Sequence, residues 1–221
     1  VEITYDATQK MTLSFTSNII VNGKSTPLST ELFECFKTGW LTVLDTDNNG
    51  IYDLAHITLL NTVIVEGFSP TTGSLVTRKD NEPIFLYDNN PIIEVFLNKK
   101  LADVKDISRG NIASIACDAF SFAGGETIYD YNSAKKIKIY LSKSKLEGAL
   151  EEIGDGGKLF TVEERAYKTA PALQDSIRAH EREMPHIGAT MYIWLDYMGV
   201  IVDYEELTDT MKYGYLLASE L

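Results

Sequence analysis

The chain has 221 residues, and its 44% hydrophobic content is enough to bury a core, which argues against intrinsic disorder. Its net charge of −12 argues against nucleic acid and anionic membrane surfaces as partners, because both need a basic face. A chain of this length forms one large domain or two to three small ones. No apolar run approaches the roughly 18 residues that span a bilayer, so we expect no membrane insertion.

Period-two alternation of apolar and polar residues dominates the chain and predicts a mainly β fold. The alternating segments are rich in Ile, Val, Thr, Tyr and Phe, and turn-forming Asn, Asp and Gly separate them. The predicted strands are 1–5, 11–15, 40–44, 84–87, 92–96, 112–117, 137–141, 159–162, 191–195 and 200–204.

Helical signals are scarce. Residues 30–37 predict one or two turns, and 171–183 is the best helix candidate. Pro171 stands where the first turn of a helix tolerates proline. Leu173, Ile177 and His180 would share one face of this helix.

A loose repeat organises the strands. Its shared pattern is a glycine, a strand of about six residues, an aspartate that opens a turn by accepting backbone N–H groups, and a returning strand. The aspartates are Asp45, Asp118 and Asp196. We therefore expect two or three small tandem β modules, barrel- or sandwich-like, with one short helix. The predicted modules are 1–68 with the candidate calcium hairpin, 69–145, and 146–221 with the helical insert.

The segment 45–53 has the ligand order of a calcium loop, with oxygen-bearing side chains at positions 1, 3, 5 and 9 and Gly50 at position 6. Calcium takes six to eight oxygen ligands in flexible geometry. The predicted metal ligands are the side chains of Asp45, Asp47, Asn49 and Asp53 and the backbone carbonyl of Ile51.

Two features separate this loop from an EF-hand. Position 12 is His56, where an EF-hand has a bidentate Glu, and the flanking residues predict strands instead of helices. We therefore expect a filled structural calcium site between two strands, and not a calcium sensor. The alternative is an Asn/Asp/Gly-rich hairpin turn that holds no ion. The turns at Asp118 and Asp196 lack the other ligands and should be metal-free.

The run from Gly39 to Asp53 resembles a β-rich repeat region of large Gram-positive surface proteins that often carry S-layer-homology domains. Similar modules are expected in virion proteins of phages that infect such hosts. The resemblance covers most of residues 18–206 and implies a structural, non-catalytic module. Departures occur at 119–125, where Phe120 and Phe122 replace a polar turn, and at 171–183; either segment could form a contact surface. The motifs that carry the resemblance are 22–24, 45–53, 136–142, 147–153 and 192–201.

Catalytic patterns are weak. The run from His180 to His186 has the wrong spacing for an HExxH zinc helix, and Pro185 interrupts it. Adjacent acidic pairs predict solvated charges, since neighbours on a strand point to opposite faces. Trp40 and Trp194 lie in alternating strands, which favours core packing over a carbohydrate platform. We expect no enzyme and no catalytic residue.

Cys35 and Cys117 lie among apolar residues and outside any C-x-x-C pair. Buried free thiols are expected, and a disulfide between them is the alternative. The chain starts at Val1, and we expect a processed protein or a fragment of a longer one.

Together these features predict a non-catalytic structural module of an extracellular assembly, on a cell surface or in a virion. Its partners would be other protein subunits. The alternative is an adhesion module that binds cell-wall glycan or a partner protein.

Overall fold

The computed structural model describes residues 2–5, 9–78 and 82–207, with side chains from residue 11 onward except 15 and 16. The described residues up to Lys143, together with Asp196–Met198, form one compact unit. Ser144–Leu195 and the described residues from Gly199 onward form a second. Of the helices in these three ranges, none is long and apolar enough to cross a membrane.

The first sheet of the first unit has the strand order β1-β2-β5-β4, with β3 paired to β2. Strands β2 and β5 run parallel, whereas β4 and β5 form an antiparallel hairpin. A short helix, α1 (Thr30–Glu34), is capped by the Ser29 side chain, which accepts the N–H of Leu32. Leu32 and the inward side chains of the sheet form one buried cluster. The strands are β1 (Glu2–Tyr5), β2 (Gln9–Val21), β3 (Lys24–Ser25), β4 (Gly39–Leu44) and β5 (Tyr52–Leu59).

The second sheet of this unit has seven strands in the order β10-β9-β14-β11-β6-β7-β8. The unit has two further strands, β12 and β13, which lie outside this sheet and form a separate hairpin in the connection between β11 and β14. A 3₁₀ turn at Val104–Asp106 follows β10. The strands are β6 (Asn61–Ser69), β7 (Ser74–Thr77), β8 (Ile84–Phe85), β9 (Ile92–Leu97), β10 (Lys100–Ala102), β11 (Ile112–Cys117), β12 (Phe120–Ala123), β13 (Glu126–Tyr129) and β14 (Lys136–Ser142).

Strand β11 is the most deeply buried element, since all six of its residues are buried. It pairs antiparallel with β14 on one side and with β6 on the other. A strand that is covered on both faces has a nearly continuous run of apolar residues, and the sequence of β11, IASIAC, fits this pattern. Phe120 and Phe122 of the inserted hairpin pack against the core of the first sheet. These two side chains therefore serve an internal contact.

The second unit is a five-stranded antiparallel sheet in the order β17-β16-β15-β18-β19 with one helix, α2. Its core centres on Phe160, which is fully buried and meets the Tyr204 ring edge-on at 5.8 Å between centroids. Leu173 and Ile177 of the helix join this core. The elements are β15 (Lys145–Gly154), a 3₁₀ turn at Asp155–Gly157, β16 (Leu159–Val162), β17 (Arg165–Lys168), α2 (Pro171–Arg178), β18 (Thr190–Leu195) and β19 (Ile201–Glu206).

Helix α2 ends earlier than the sequence predicts. The N–H of Glu181 donates to the carbonyl of Ser176 at 3.0 Å, and the N–H of His180 donates to the carbonyl of Ile177 at 3.1 Å. Together with the left-handed φ of 58° at His180, these bonds form a Schellman C-terminus. The prediction that His180 lies on the apolar face with Leu173 is therefore wrong, because His180 is exposed beyond the last turn.

The prediction of a mainly β fold with a short helix is confirmed, although α1 adds a second, five-residue helix. The three-module division stays a prediction. Its boundary between residues 68 and 69 falls inside β6, which pairs with β11 in the second sheet. Strand 1–5 is described from Glu2 only, and the end of the third module, from residue 208, lies outside the described residues.

Candidate metal centre

The candidate site is the connection between β4 and β5. The hairpin register pairs Leu44 with Leu54, so the segment from Asp45 to Asp53 projects beyond the last paired residues. Both flanks are strands, as predicted, which excludes a helix-loop-helix calcium sensor at this position. His56 lies within β5 and is exposed.

Three carboxylates converge in this loop. Asp45, Asp47 and Asp53 each offer an oxygen atom, and these atoms all lie within 4.8 Å of one another. Like charges at this spacing repel, and a hard cation placed among them would offset that repulsion. Of the five predicted ligands, the fold therefore brings these three together.

Backbone N–H groups donate to these carboxylates and offset part of the repulsion between their negative charges. Asp45 accepts the N–H of Gly50 at 2.8 Å and that of Asn49 at 3.2 Å. Asp53 accepts both the N–H of Thr46, at 2.8 Å, and its hydroxyl, at 2.6 Å. These bonds join the two ends of the loop. The Thr46 hydroxyl was missed by sequence reasoning, which counted only metal ligands.

The other two predicted ligands, Asn49 and Ile51, bond to each other. The side-chain carbonyl oxygen of Asn49 accepts the N–H of Ile51 at 2.7 Å, and its amide nitrogen donates to Asp47 at 2.9 Å. A cation would have to share that carbonyl oxygen with the Ile51 amide. The convergence of the carboxylates is therefore the stronger part of the site.

The pKa of Asp45 is lowered. Desolvation raises it, but the hydrogen bonds from the N–H groups of Gly50, Asn49 and Asn48 together outweigh that effect. Since the folded pKa lies below the unfolded one, these bonds stabilise the fold above the unfolded pKa. That stability is lost as the pH falls through the folded pKa. We expect the Asp45 carboxyl to titrate at lower pH in the folded protein than in urea, measured by carbon NMR. Equal midpoints in the two states would contradict this.

The other two turn aspartates also accept backbone N–H groups. Asp196 accepts the N–H of Met198 at 2.8 Å within the β18–β19 hairpin. Asp118 accepts the N–H groups of Lys135 and Lys136, at 2.9 and 3.1 Å, where the chain enters β14. The predicted role of aspartate in opening a turn is confirmed for Asp45 and Asp196, whereas Asp118 bonds to residues 17 and 18 positions further along the chain. In the copy that contains Asp118, the strand that returns beside β11 is β14, and the β12–β13 hairpin is inserted between them. The three copies therefore differ in connectivity. The tandem repeat stays a prediction.

The residues considered for other chemistry occupy structural positions. Helix α2 ends before His180, so the run to His186 forms no zinc-binding helical face. Trp194 is buried, and Trp40 is half-buried with its ring edge-on to Tyr140 at 5.0 Å.

Cys35 and Cys117 are free and buried, as predicted. Burial raises the pKa of Cys117 to about 12, which removes it as a reactive thiolate at neutral pH.

Most acidic pairs are exposed, as expected of solvated charges, but Glu206 is half-buried and bonds to His186. The N–H of His186 donates to Glu206 Oε1 at 2.6 Å, and this hydrogen bond lowers the pKa of the Glu206 carboxyl. The bond ties the loop after α2 to β19. The exposed residues of the acidic pairs are Glu151, Glu152, Glu163, Glu164 and Glu205.

No protein-family model matches the chain, and no curated protein or solved structure shows significant similarity to it. The resemblance to Gram-positive surface proteins with S-layer-homology domains therefore stays a prediction that rests on short motifs.

Proposed function

We propose that this chain is a non-catalytic structural module of an extracellular assembly, either a cell-surface layer or a phage virion, and that a calcium ion braces its first hairpin. The observation that carries the calcium assignment is the convergence of Asp45, Asp47 and Asp53 within 4.8 Å. The assignment to an assembly rests on the resemblance of the 39–53 segment and on the acidic, β-rich composition.

The ion would act mechanically. Asp45 follows the last residue of β4, and Asp53 lies at the start of β5, so a shared ion links the two strands beyond their last pair. Asp47, the side chain of Asn49 and the carbonyl of Ile51 would complete the protein ligands, with water for the rest. An ion that binds the folded loop better than the unfolded chain stabilises the fold by mass action. A rigid hairpin of this kind keeps the spacing that a repeating assembly needs.

We expect calcium at 100-fold excess over its dissociation constant to stabilise the wild-type protein by about 2.7 kcal/mol. The measurement is thermal unfolding with calcium and with EDTA. The double variant Asp45→Ala, Asp47→Ala should lose the response because it removes two of the three converging carboxylates. A matched variant, Glu181→Ala with Glu183→Ala, removes the same charge from exposed positions outside the loop and should keep it.

A wild-type protein whose melting temperature is the same in calcium and in EDTA would refute the metal site. An equal loss of response in both double variants would attribute the effect to net charge and refute the site as well.

The alternative function, a module that binds glycan, is favoured by one feature. The rings of Phe96 and Tyr140 stack at 5.2 Å, and Trp40 meets Tyr140 edge-on, all three being half-buried. Leu101, opposite Phe96 on β10, is 74% exposed beside them. Sugar rings pack on the parts of such aromatic rings that stay exposed. Retention on cell-wall polysaccharide, lost on Phe96→Ala, would favour this function over a pure scaffold.

A further inference from the structure

The sequence contains two Asn-Gly pairs, Asn22-Gly23 and Asn49-Gly50. Asn-Gly is the dipeptide most prone to spontaneous deamidation, because glycine has no side chain to hinder attack by its own backbone nitrogen. The two pairs have opposite environments in the fold. We propose that Asn49 is a site of spontaneous deamidation in the folded protein, whereas the fold protects Asn22.

The reaction needs only water. The backbone nitrogen of Gly50 bonds to the side-chain carbonyl carbon of Asn49, and the bond from that carbon to Nδ2 breaks. The proton of the Gly50 N–H leaves with the departing ammonia. Water then opens the cyclic imide at either carbonyl carbon, which gives aspartate or isoaspartate at position 49. No oxidation or reduction is involved.

The loop leaves the Asn49 side chain exposed, next to the residue whose nitrogen attacks it. Asn49 and Gly50 are both exposed, and a Cβ built on Gly50 would meet no atom within 4 Å. The Ile51 N–H donates to Asn49 Oδ1 at 2.7 Å, so the side-chain amide spans Gly50, the residue that supplies the attacking nitrogen. The Gly50 N–H, whose proton must leave, already points at Asp45 Oδ2 at 2.8 Å.

The side-chain hydrogen bonds of Asn49, to Asp47 and Ile51, stay within its own exposed loop, whereas those of Asn22 reach two other strands. The Nδ2 of Asn22 donates to the carbonyls of Leu59 and Cys117, at 3.1 and 2.9 Å, and its Oδ1 accepts the N–H of Leu59 at 2.9 Å. These bonds fix the side-chain amide to β5 and β11. Rotation of the amide towards Gly23 would break all three, so cyclisation first requires local unfolding.

The products differ in their effect on the loop. Aspartate at position 49 would add a fourth carboxylate and complete a D-x-D-x-D-G ligand order, which should tighten calcium binding. Isoaspartate would lengthen the backbone by one methylene and distort the turn. This consequence, unlike the deamidation itself, rests on the proposed calcium site.

The test is peptide mapping by mass spectrometry after incubation of the folded protein in EDTA at mildly alkaline pH. Trypsin places Asn22 in the peptide 11–24 and Asn49 in the peptide 38–78. We expect the rate constant for deamidation at Asn49 to exceed that at Asn22 by at least about tenfold, because three hydrogen bonds hold the Asn22 amide. In denaturant the two rates should become similar. Fragment ions assign the modified asparagine within 38–78.

Similar rates at Asn22 and Asn49 in the folded protein would overturn the proposal, and so would a rate ratio that persists in denaturant. The variant Asn49→Gln should remove the mass gain from 38–78, and a gain that remained would refute the assignment. Calcium titration of Asn49→Asp against wild type is a separate readout. If neither binds calcium, the proposed metal site fails while the deamidation result stands.

Discussion

Gly39→Ala is expected to destabilise the first unit by about 4 kcal/mol, from backbone strain of about 1–3 kcal/mol and overpacking of about 1–3 kcal/mol. Gly39 opens β4 with a φ of 137°, a conformation that residues with a side chain rarely adopt. A Cβ at this position would lie 1.8 Å from the backbone carbonyl oxygen of Thr58 and 2.9 Å from its carbonyl carbon. Since both obstacles are backbone atoms of the paired strand β5, they can move only by separating the two strands.

Gly125→Ala is the matched control. Gly125 also has a positive φ, 76°, but a Cβ there would meet no atom within 4 Å. Its substitution should cost only the left-handed backbone penalty of about 1 kcal/mol. Urea unfolding of both variants against wild type, with the m-value checked for constancy, measures the difference. Equal losses at the two glycines would show that the close approach of Gly39 to Thr58 carries no energetic weight.

Local patterns in the sequence were sufficient to locate many of the strands. The predicted strands 112–117 and 159–162 match β11 and β16 at both ends, because alternation or an apolar run is bounded there by turn residues. The pairing of strands could not be predicted in this way. The parallel pairs β2–β5 and β9–β14 join segments far apart in the chain, and no local signal specifies such partners.

Strand β2 shows a second limit of the sequence. It continues for 13 residues, whereas the predicted strand stops at residue 15, where the polar run from Thr16 to Asn18 interrupts the alternation of apolar and polar residues. In the fold this stretch coincides with a register shift between β2 and β5, which lets the strand continue through polar residues.

The candidate site was predictable to the extent that it is local. Asp45, Asp47 and Asp53 follow from spacing within one hairpin, and the fold places their oxygens together. The pair Asn22-Gly23 is of a type that favours a turn, and the backbone of Asn22 does turn there with a φ of 49°. Its side chain, however, binds Cys117, which lies 95 residues further along the chain. A contact of that kind depends on the pairing of sheets and leaves no trace in local sequence.

We expect Asn22→Asp to destabilise the first unit by about 3 kcal/mol, because two half-buried carbonyl oxygens lose their donor, at a cost of about 1–3 kcal/mol each. The substitution replaces Nδ2, which donates to the carbonyls of Leu59 and Cys117, with an oxygen that can only accept. Two carbonyl oxygens would then face a carboxylate. Aspartate tolerates the left-handed backbone of this position as asparagine does, so the loss reports on the side chain.

Asn49→Asp makes the same atomic change at the exposed asparagine and should cost less than about 1 kcal/mol in EDTA, as expected for charges in solvent. Urea unfolding of the two variants in EDTA compares them directly, and equal losses would contradict the bridging role of Asn22.

The contrast between the two variants also explains why protection of Asn22 from deamidation matters. Deamidation at that position would produce the destabilised protein, whereas at Asn49 it changes only the charge and geometry of the loop. The hydrogen bonds that join β5 to β11 through Asn22 therefore limit deamidation to Asn49, in the β4–β5 loop, where the modification costs less stability.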